Sequence, residues 1–345
     1  MLQSISPALD FTALPRPYLL FLGDTGEVGF AKTAFGLRDW APESCVGEFS
    51  CGASITTGLP RLTPAEARAE GARALVIGVA NQGGYIPDRW IPSLLHALEA
   101  GLDLISGMHT WLADVPRLKA AATLNRRNLI DVRRPPPNLT IASGRKRSGK
   151  RLLTVGTDCA LGKKYTALAL TRAFRARGLA ADFRASGQTG ILIAGGGIAI
   201  DAVVTDFAAG AAEMLSPDAA DTHWDVIEGQ GSLSHPAYAG VSLALLHGSQ
   251  PDVVVVCHEA GREFILGQPA YPLPSIEETI DLALRLGRRT NPSIRCAGVS
   301  LNTSHLDAVP AEQLLASETK RFGLPVADPI RGGAALEQLV NACVS

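Results

Sequence analysis

One short segment limits the fold of this chain more than any other. In residues 153–166, an apolar run leads through a glycine-framed loop into a Gly-Lys pair and a helical pattern. Gly156 and Gly162 allow the backbone to curl so that amide N–H groups converge on an anion, and Lys163 adds a full positive charge at the helix N-terminus. The segment therefore predicts a phosphate-binding loop that follows a buried strand of an α/β fold.

The loop departs from the commonest phosphate-loop pattern in two ways. Five residues instead of four separate its two glycines, and Lys164 stands where a Ser or Thr hydroxyl would hold magnesium. Thr166 lies two residues further on and cannot take that place without a shift. The loop therefore suits a ligand held by its phosphates, and it disfavours nucleotide hydrolysis with magnesium held in the usual way.

Buried-strand patterns on both sides of a central break predict two parallel α/β domains. In the first domain, a strand, a Gly-rich loop, a helix and a second strand form a βαβ unit, and the loop at 81–84 lacks the GxGxxG spacing of a nicotinamide site. The second domain has continuous apolar runs, as strands covered on both faces should have. The predicted strands are residues 74–80, 102–105, 152–155, 202–205, 253–257 and 297–301, and the predicted helices are about 90–100, 165–177 and 276–286.

The break combines three consecutive prolines at 135–137 with a basic run at 145–151. The prolines favour an extended, helix-breaking segment. The run has five positive charges in seven residues, which fits either a phosphate or nucleic-acid patch or, as we expect, a solvated linker. We therefore predict three parts: a Rossmann-like domain over 1–137, a Pro-rich and basic linker over 138–150, and a P-loop domain over 151–345.

Composition excludes several other classes of protein. The chain has 32 basic and 33 acidic residues and a net charge of −1, which argues against a nucleic-acid binder. The longest apolar stretch, 191–204, contains three consecutive glycines and Asp201, so we expect no membrane span. The six cysteines form no CxxC pair and no secretory signal is visible, so we expect a reduced, cytoplasmic protein.

The five-residue glycine spacing resembles that of dethiobiotin synthetases and their relatives, whose loop reads GTDTxxGKT. The resemblance covers roughly residues 150–345. Residues 184–190 resemble that family's segment ending in Thr-Gly, residues 227–232 resemble its VEGAGG loop, and Asn302 stands where it places an asparagine near adenine. This resemblance implies an ATP- and magnesium-dependent ligase or kinase, which we keep as the alternative function.

The whole chain more closely resembles bacterial D-glutamate N-acetyltransferases, a family of formerly unknown function that pairs a Rossmann-like domain with a P-loop domain. The resembling segments are residues 36–40, 78–84, 101–109, 155–159 and 228–236. The resemblance implies transfer of the acetyl group of acetyl-CoA to the amine of an acidic amino acid, D-glutamate. The phosphate loop is compatible with this reaction, because coenzyme A carries a pyrophosphate and a ribose phosphate that the loop can grip.

Acyl transfer to an amine needs a base, an oxyanion donor and a hold on both substrates, and side chains near the predicted strand ends are candidates. Glu228 opens a Gly-rich loop, and His258 with Glu259 follows a strand at the edge where α/β sheets place ligands. The catalytic candidates are Glu228, His235 and His258. The expected CoA-binding residues are Gly156, Thr157, Asp158, Cys159, Gly162, Lys163, Lys164 and Asn302, and the expected substrate-binding residues are Ser186, Gln188, Thr189, Ser232 and Arg262.

Other interpretations of these residues stay open. Each candidate could be a loop residue whose side chain is satisfied within the protein. Cys159 could carry an acyl group because a helix N-terminus favours the thiolate, although packing of the loop is the role we expect. A nucleotide-sensing regulatory protein is the non-enzymatic alternative. We expect no bound metal, since no His, Cys and carboxylate residues have metal-ligand spacing, and we expect a homo-oligomer.

Overall fold

The computed structural model describes residues 14–81 and 83–345. Two parts of the sequence predictions, the start of the first domain at 1–13 and Gln82 in the Gly-rich loop, lie outside the described residues. The chain forms two compact units, which we call the N-terminal unit and the P-loop unit. Among the described residues, the N-terminal unit contains 14–135 and Gln188–Ala199, and the P-loop unit contains Pro136–Gly187 and Ile200–Ser345.

A parallel sheet forms the centre of the N-terminal unit. Its strands in the described residues are β1 (Tyr18–Phe21), β2 (Cys45–Phe49), β3 (Ala74–Ile77), β4 (Asp103–Ser106) and β5 (Leu129–Asp131), in the order β2-β1-β3-β4-β5. The helices are α1 (Lys32–Trp40), α2 (Pro64–Ala69), α3 (Ile91–Glu99) and α4 (Pro116–Asn125). Strands β1 and β3 are buried along their whole length, which explains their continuous apolar sequences. The β3-α3-β4 succession agrees with the predicted βαβ unit.

The P-loop unit is built on a second parallel sheet with a small antiparallel hairpin beside it. The sheet strands are β6 (Lys150–Gly156), β7 (Ala181–Arg184), β8 (Trp224–Ile227), β9 (Val253–Glu259), β12 (Arg295–Asn302) and β13 (Val326–Ala327), in the order β13-β12-β9-β6-β8-β7. The hairpin pairs β10 (Phe264–Ile265) with β11 (Gln268–Pro272). The helices are α5 (Lys163–Ala176), α7 (Thr205–Leu215), α8 (Ala239–Ser249), α9 (Ile276–Gly287), α10 (Ala308–Phe322) and α11 (Gly333–Val344).

Helix α6 (Gln188–Ala194) follows β7 in the sequence but packs with the N-terminal unit, where it contacts α1. The chain therefore leaves the P-loop unit after Gly187 and returns to it at Ile200. Among all helices in the described part of the chain, none is both long enough and apolar enough to cross a membrane.

The register of the second sheet brings the ends of its central strands to one edge. The four valines at 253–256 of β9 are fully buried between β6 and β12. Gly156, at the end of β6, pairs with Cys257 of β9, and Asn302, at the end of β12, pairs with Glu259. Because all these strands are parallel, the loops after β6, β7, β8, β9 and β12 leave from the same edge, where α/β sheets bind ligands.

The strand predicted at 202–205 is wrong. Ile200–Ala202 forms a short 3-10 helix, and α7 begins at Thr205. Val204, between them, has an extended backbone but is 68% exposed. A short apolar run does not by itself distinguish a buried strand from the approach to a helix, and here the neighbouring helix determines the structure.

The solvated linker predicted at the basic run is also wrong for two of its arginines. Arg147 is buried, and its guanidinium donates hydrogen bonds to the carbonyl oxygens of Glu213 (2.6 Å), Ser216 (2.7 Å) and Gly248. Arg151, on β6, is 1% exposed and donates to Ser216 Oγ at 2.8 Å. These side chains fasten the segment before β6 to helices α7 and α8, because carbonyl oxygens accept hydrogen bonds from both buried guanidinium groups.

Candidate active site

The predicted phosphate loop connects β6 to α5. Gly162, which precedes the helix, has φ +106°, and Ala160 has φ +56°, so the backbone turns through left-handed conformations before α5. Lys163 is the first residue of α5, and its buried Nζ donates a hydrogen bond to the carbonyl oxygen of Asp158 at 2.6 Å. Burial lowers the pKa of this lysine. The ammonium group therefore lies inside the loop, beside the N-terminus of a helix.

The side chain of Asp158 fastens the loop to the segment after β9. Its fully buried carboxylate accepts hydrogen bonds from Cys159 N at 2.6 Å, Leu266 N at 2.8 Å and Arg262 Nη1 at 3.1 Å. Arg262 also donates to the carbonyl oxygen of Cys159 and forms an ion pair with Glu259. Asp158 and Arg262 were predicted to bind ligands. In the structure they bind each other and thereby stabilise the conformation of the loop.

The loop after β8 packs against the phosphate loop. Ser232 Oγ donates to the carbonyl oxygen of Thr157 at 3.0 Å, and His235 N donates to the carbonyl oxygen of Ser232. The His235 ring is 3% exposed and lies against the ring of Tyr238, with centroids 4.5 Å apart. These contacts bring two predicted site residues, Ser232 and His235, to the phosphate loop.

The hydrogen bonds of His235 define its tautomer. Its Nδ1 accepts a hydrogen bond from Ala237 N at 3.0 Å, so the neutral ring carries its proton on Nε2. Burial lowers the pKa of the ring, which favours this neutral form. Nε2 lies 3.9 Å from Asp158 Oδ1, so the Nε2–H group is directed toward the phosphate loop. His235 can therefore donate a hydrogen bond there, and it has no free lone pair with which to act as a base.

Glu228, a predicted catalytic residue, directly follows β8. Its buried carboxylate accepts hydrogen bonds from Ser186 N at 3.1 Å and Gly187 N at 3.2 Å. Burial raises the pKa of this carboxyl group to about 7, while the ammonium of Lys164 and the two N–H bonds act in the opposite direction. A carboxyl group that titrates near neutral pH can take a proton from a substrate and release it again.

Gln230 supports this arrangement and was not predicted as a site residue. Its Nε2 donates to Ser186 Oγ at 3.0 Å, and Ser186 Oγ donates to the carbonyl oxygen of Glu228. The backbone carbonyl oxygen of Gln230 accepts a hydrogen bond from Ser242 Oγ at 2.7 Å. The resemblance of 227–232 to the VEGAGG loop was the one sequence signal for this residue, since an amide side chain has no acid–base chemistry.

His258 and Asn302 lie on the far side of the phosphate loop. His258 Nδ1 is 2.9 Å from Thr157 Oγ1, and burial, with Arg262 nearby, lowers the pKa of the ring. Asn302 Oδ1 accepts a hydrogen bond from Ser304 N at 3.0 Å. The structure thus connects His258 to the loop by a direct hydrogen bond and keeps Asn302 at the end of β12.

Gln188 and Thr189 were predicted to bind the substrate, but neither residue belongs to the P-loop unit. Both lie on α6 in the N-terminal unit, where Thr189 Oγ1 is 2.9 Å from Thr33 Oγ1. The Gln188 side chain lies so close to Gly107 that a Cβ at that glycine would be 1.8 Å from Gln188 Oε1. Their assignment to the substrate stays a prediction.

Two groups of side chains in the described residues have the composition of a metal site. In one, atoms of Asp158, Cys159 and His235 lie within 4.8 Å of one another. Metal-bound histidines usually direct their second ring nitrogen to an acceptor, whereas Nδ1 of His235 faces the N–H donor of Ala237. The other group comprises Asp182, His223 and Asp225, and its carboxylates form ion pairs with Arg175 and Arg184. In the second group, arginine side chains therefore already neutralise the two carboxylates.

Comparison with known proteins identifies the family. The chain matches the P-loop domain of DUF1611, described as a domain of unknown function, over residues 140–340, and the Rossmann-like N-terminal domain of the same family over 45–135. A crystal structure of a DUF1611 family protein from Anabaena variabilis ATCC 29413 superposes with a TM-score of 0.86 at 36% identity, covering 95% of this chain and 99% of that one. The predicted fold class, a Rossmann-like domain followed by a P-loop domain, is confirmed.

Two curated relatives carry the same name, "D-glutamate N-acetyltransferase". The protein of Tritonibacter scottomollicae is 51% identical over 332 residues, which cover 95% of this chain and 98% of the relative. The protein of Pseudoalteromonas sp. is 47% identical over 318 residues, which cover 92% and 96%. These relatives confirm the predicted acetyltransferase class over the ligase alternative. The chain therefore belongs to the DUF1611 family and is an N-acetyltransferase.

Proposed function

We propose that this N-acetyltransferase takes its acetyl group from acetyl-CoA and transfers it to the amine of D-glutamate. The acceptor is the one in the names of both curated relatives, which match this chain over nearly its whole length. The observation that carries the proposal is the pairing of an anion-binding loop around Lys163 with Glu228, a carboxyl group that titrates near neutral pH. The first suits a donor with phosphates, and the second suits an acceptor that must lose a proton.

The phosphate loop is proposed to hold the phosphates of coenzyme A. The N-terminus of α5 and the ammonium of Lys163 attract an anion, and Lys164 adds a second positive charge at the place where other phosphate loops hold magnesium. Binding at this remote handle orients the thioester for attack. A lysine in place of the magnesium-binding hydroxyl makes donor binding independent of a divalent cation.

In the proposed reaction, Glu228 takes a proton from the ammonium group of the acceptor. The free amine attacks the thioester carbonyl and a C–N bond forms. The C–S bond then breaks to release coenzyme A as a thiolate, which takes up the proton that the attacking nitrogen loses. His235 Nε2–H is a donor for the negative oxygen of the tetrahedral intermediate. His235 acts here as a hydrogen-bond donor, in keeping with its tautomer.

The first experiment measures thiol release from acetyl-CoA with D-glutamate, L-glutamate and D-aspartate, each with and without Mg-ATP. Release that requires D-glutamate, needs no ATP and persists in a chelator is expected, and Lys163→Ala should weaken CoA binding. Lys320→Ala, on the exposed side of α10, is the matched control. Absence of thiol release in every mixture would overturn the proposal, and a requirement for magnesium would overturn the role given to Lys164.

We also propose that the reaction takes place in the cytoplasm. All six cysteines lie in the described part of the chain, and none of them forms a disulfide. Proteins of oxidising compartments often rely on such bonds, whereas reduced thiols are typical of the cytoplasm. Fractionation of cells that express the tagged full chain tests this assignment.

A further inference from the structure

Gln230 places a carboxamide beside the backbone segment that holds the Glu228 carboxylate. Residues 227–232 resemble the VEGAGG loop, and Gln230 stands at the alanine of that pattern. Its side chain is half-buried and lies against Gly187, where a Cβ would be 2.5 Å from Gln230 Nε2. Gly187 N in turn donates to Glu228 Oε2 at 3.2 Å. The carboxamide and the carboxylate therefore flank the same glycine.

The hydrogen bonds of Ser186 fix the orientation of this carboxamide. The Ser186 hydroxyl has one hydrogen, and it donates that hydrogen to the backbone carbonyl oxygen of Glu228, which can only accept. Ser186 Oγ must therefore accept a hydrogen bond from Gln230, so the Gln230 atom that lies 3.0 Å from it is the donor Nε2. The amide oxygen, Oε1, is left for another partner.

Two oxygens of this loop are available to a ligand. Within the part of the chain that the structure describes, no donor contacts Gln230 Oε1, and the two N–H groups that bind the Glu228 carboxylate both contact its Oε2. Both side chains bind the short segment 186–187, so the loop presents an amide oxygen and a carboxylate oxygen next to each other. Such a pair suits a cationic group with several N–H donors.

We propose that Gln230 selects the amino acid that is acetylated: its Oε1, together with the Glu228 carboxylate, binds the ammonium group of that substrate. When Glu228 takes one proton, the neutral amine keeps two hydrogens. A hydrogen bond from one of them to Gln230 Oε1 holds the nitrogen beside Glu228 while its lone pair attacks the thioester. This inference rests on the proposed function, because it takes Glu228 as the base and an amino acid as the substrate.

The test compares the binding of D-glutamate with that of glutarate, which has the same two carboxylates and no ammonium group. Calorimetry on the full chain in the presence of CoA gives the ratio of the two dissociation constants. Gln230→Met removes the amide oxygen, so the preference for D-glutamate should fall about tenfold while the affinity for glutarate stays unchanged. Gln230→Glu keeps an oxygen at this place and should retain the preference.

Two further measurements separate substrate binding from a structural role of Gln230. Ser242→Ala removes the hydroxyl that donates to the Gln230 backbone and leaves the carboxamide in place, so the preference for D-glutamate should not change. Gln230→Glu adds a second carboxylate beside Glu228, which should raise the pKa of Glu228 and move the acidic limb of kcat/KM to higher pH. An equal loss of preference in Ser242→Ala and Gln230→Met, or an unmoved limb in Gln230→Glu, overturns the inference.

The inference and the proposed function can fail separately. If D-glutamate is acetylated and Gln230→Met keeps the full preference for it over glutarate, the inference fails and the proposed function stands. If Gln230→Met loses that preference but thiol release shows no acetylation of D-glutamate, the ammonium site stands and the proposed function fails. Equal binding of D-glutamate and glutarate by the wild type overturns the inference.

Discussion

Glu228 and Lys164 together set the ionisation of the site. Burial raises the pKa of the carboxyl group to about 7, and the Lys164 ammonium limits that rise. The proposed base must be deprotonated to accept a proton. We therefore expect kcat/KM to fall as the pH drops below about 7, with the acidic limb of the profile reporting Glu228.

Removal of the Lys164 charge should shift this limb. Lys164→Met removes the charge that favours the ionised carboxylate, so the pKa of Glu228 should rise and the acidic limb should move to higher pH. A pH profile of kcat/KM at saturating CoA measures the shift, and Lys320→Met, on the exposed side of α10, is the control. An unchanged midpoint in Lys164→Met would show that another group is the base.

Glu228 should also leave a signature in protein stability. Between about pH 5 and 7 the unfolded chain has lost the Glu228 proton while the folded protein retains it, so the free energy of unfolding falls as the pH rises through this window. The total loss is about 3 kcal/mol for a pKa displaced from 4.5 to about 7. Urea unfolding of wild type and Glu228→Gln across this range checks it, since the glutamine variant should lack this fall. Parallel curves for the two proteins would contradict it.

For individual residues, the sequence identified members of the candidate site better than it identified their roles. Glu228 and His235 were identifiable because they lie in a Gly-rich loop that resembles a known one. The tautomer of His235 depends on a backbone N–H two residues later, and the anchoring of Arg262 depends on Asp158, 104 residues earlier. Such pairings are set by folding, so the pattern of residue types does not reveal them.

Among the structural elements, the loop after β8 leaves no space for a side chain at Gly229. A Cβ at Gly229 would be 1.7 Å from the carbonyl oxygen of Thr154 on β6. We expect Gly229→Ala to lower the melting temperature and to reduce kcat/KM by about tenfold or more, because the displaced loop misplaces Glu228 and His235. Gly240→Ala, in open space on α8, should leave both values nearly unchanged. Equal effects of the two substitutions would refute this reading of the loop.

The basic segment before β6 stabilises the fold by hydrogen bonds to helices α7 and α8. Arg147→Met should cost about 2–4 kcal/mol of unfolding free energy, because three carbonyl oxygens lose their donor. Arg145→Met should cost less than about 1 kcal/mol, since its ion pair with Asp218 is exposed. Urea titrations measure both, and calorimetry should find CoA affinity unchanged. Weaker CoA binding by both variants would instead restore the phosphate-patch interpretation.

Long, continuous apolar runs made most of the strands predictable. The runs that became β6, β9 and β12 were recognised because both faces of these strands are covered. Strands β7 and β8 carry Asp182 and Asp225, which bind arginines, and their mixed sequences gave no such signal. The strand predicted at 202–205 shows the reverse case, because this apolar run leads into a helix and forms no strand.

At the scale of the whole molecule, the main feature is that the chain leaves the P-loop unit after Gly187 and returns to it at Ile200. Helix α6 belongs to the N-terminal unit, and its Ile191 and Leu192 are buried there. A fragment of residues 136–345 should therefore expose this apolar surface, bind a hydrophobic dye and associate. Replacement of residues 188–199 in that fragment by a Gly-rich linker of equal length should abolish the dye binding. Equal dye binding by the two fragments would show that α6 does not depend on the N-terminal unit.

The return of the chain at Ile200 also has an evolutionary consequence. A single recombination event at the proline-rich junction cannot exchange the N-terminal unit for an unrelated one, because α6 would remain behind with the P-loop unit. Gly187, whose N–H holds the Glu228 carboxylate, is joined by a single peptide bond to Gln188 of that helix. The proposed base and the N-terminal unit are thus connected through the same short stretch of chain.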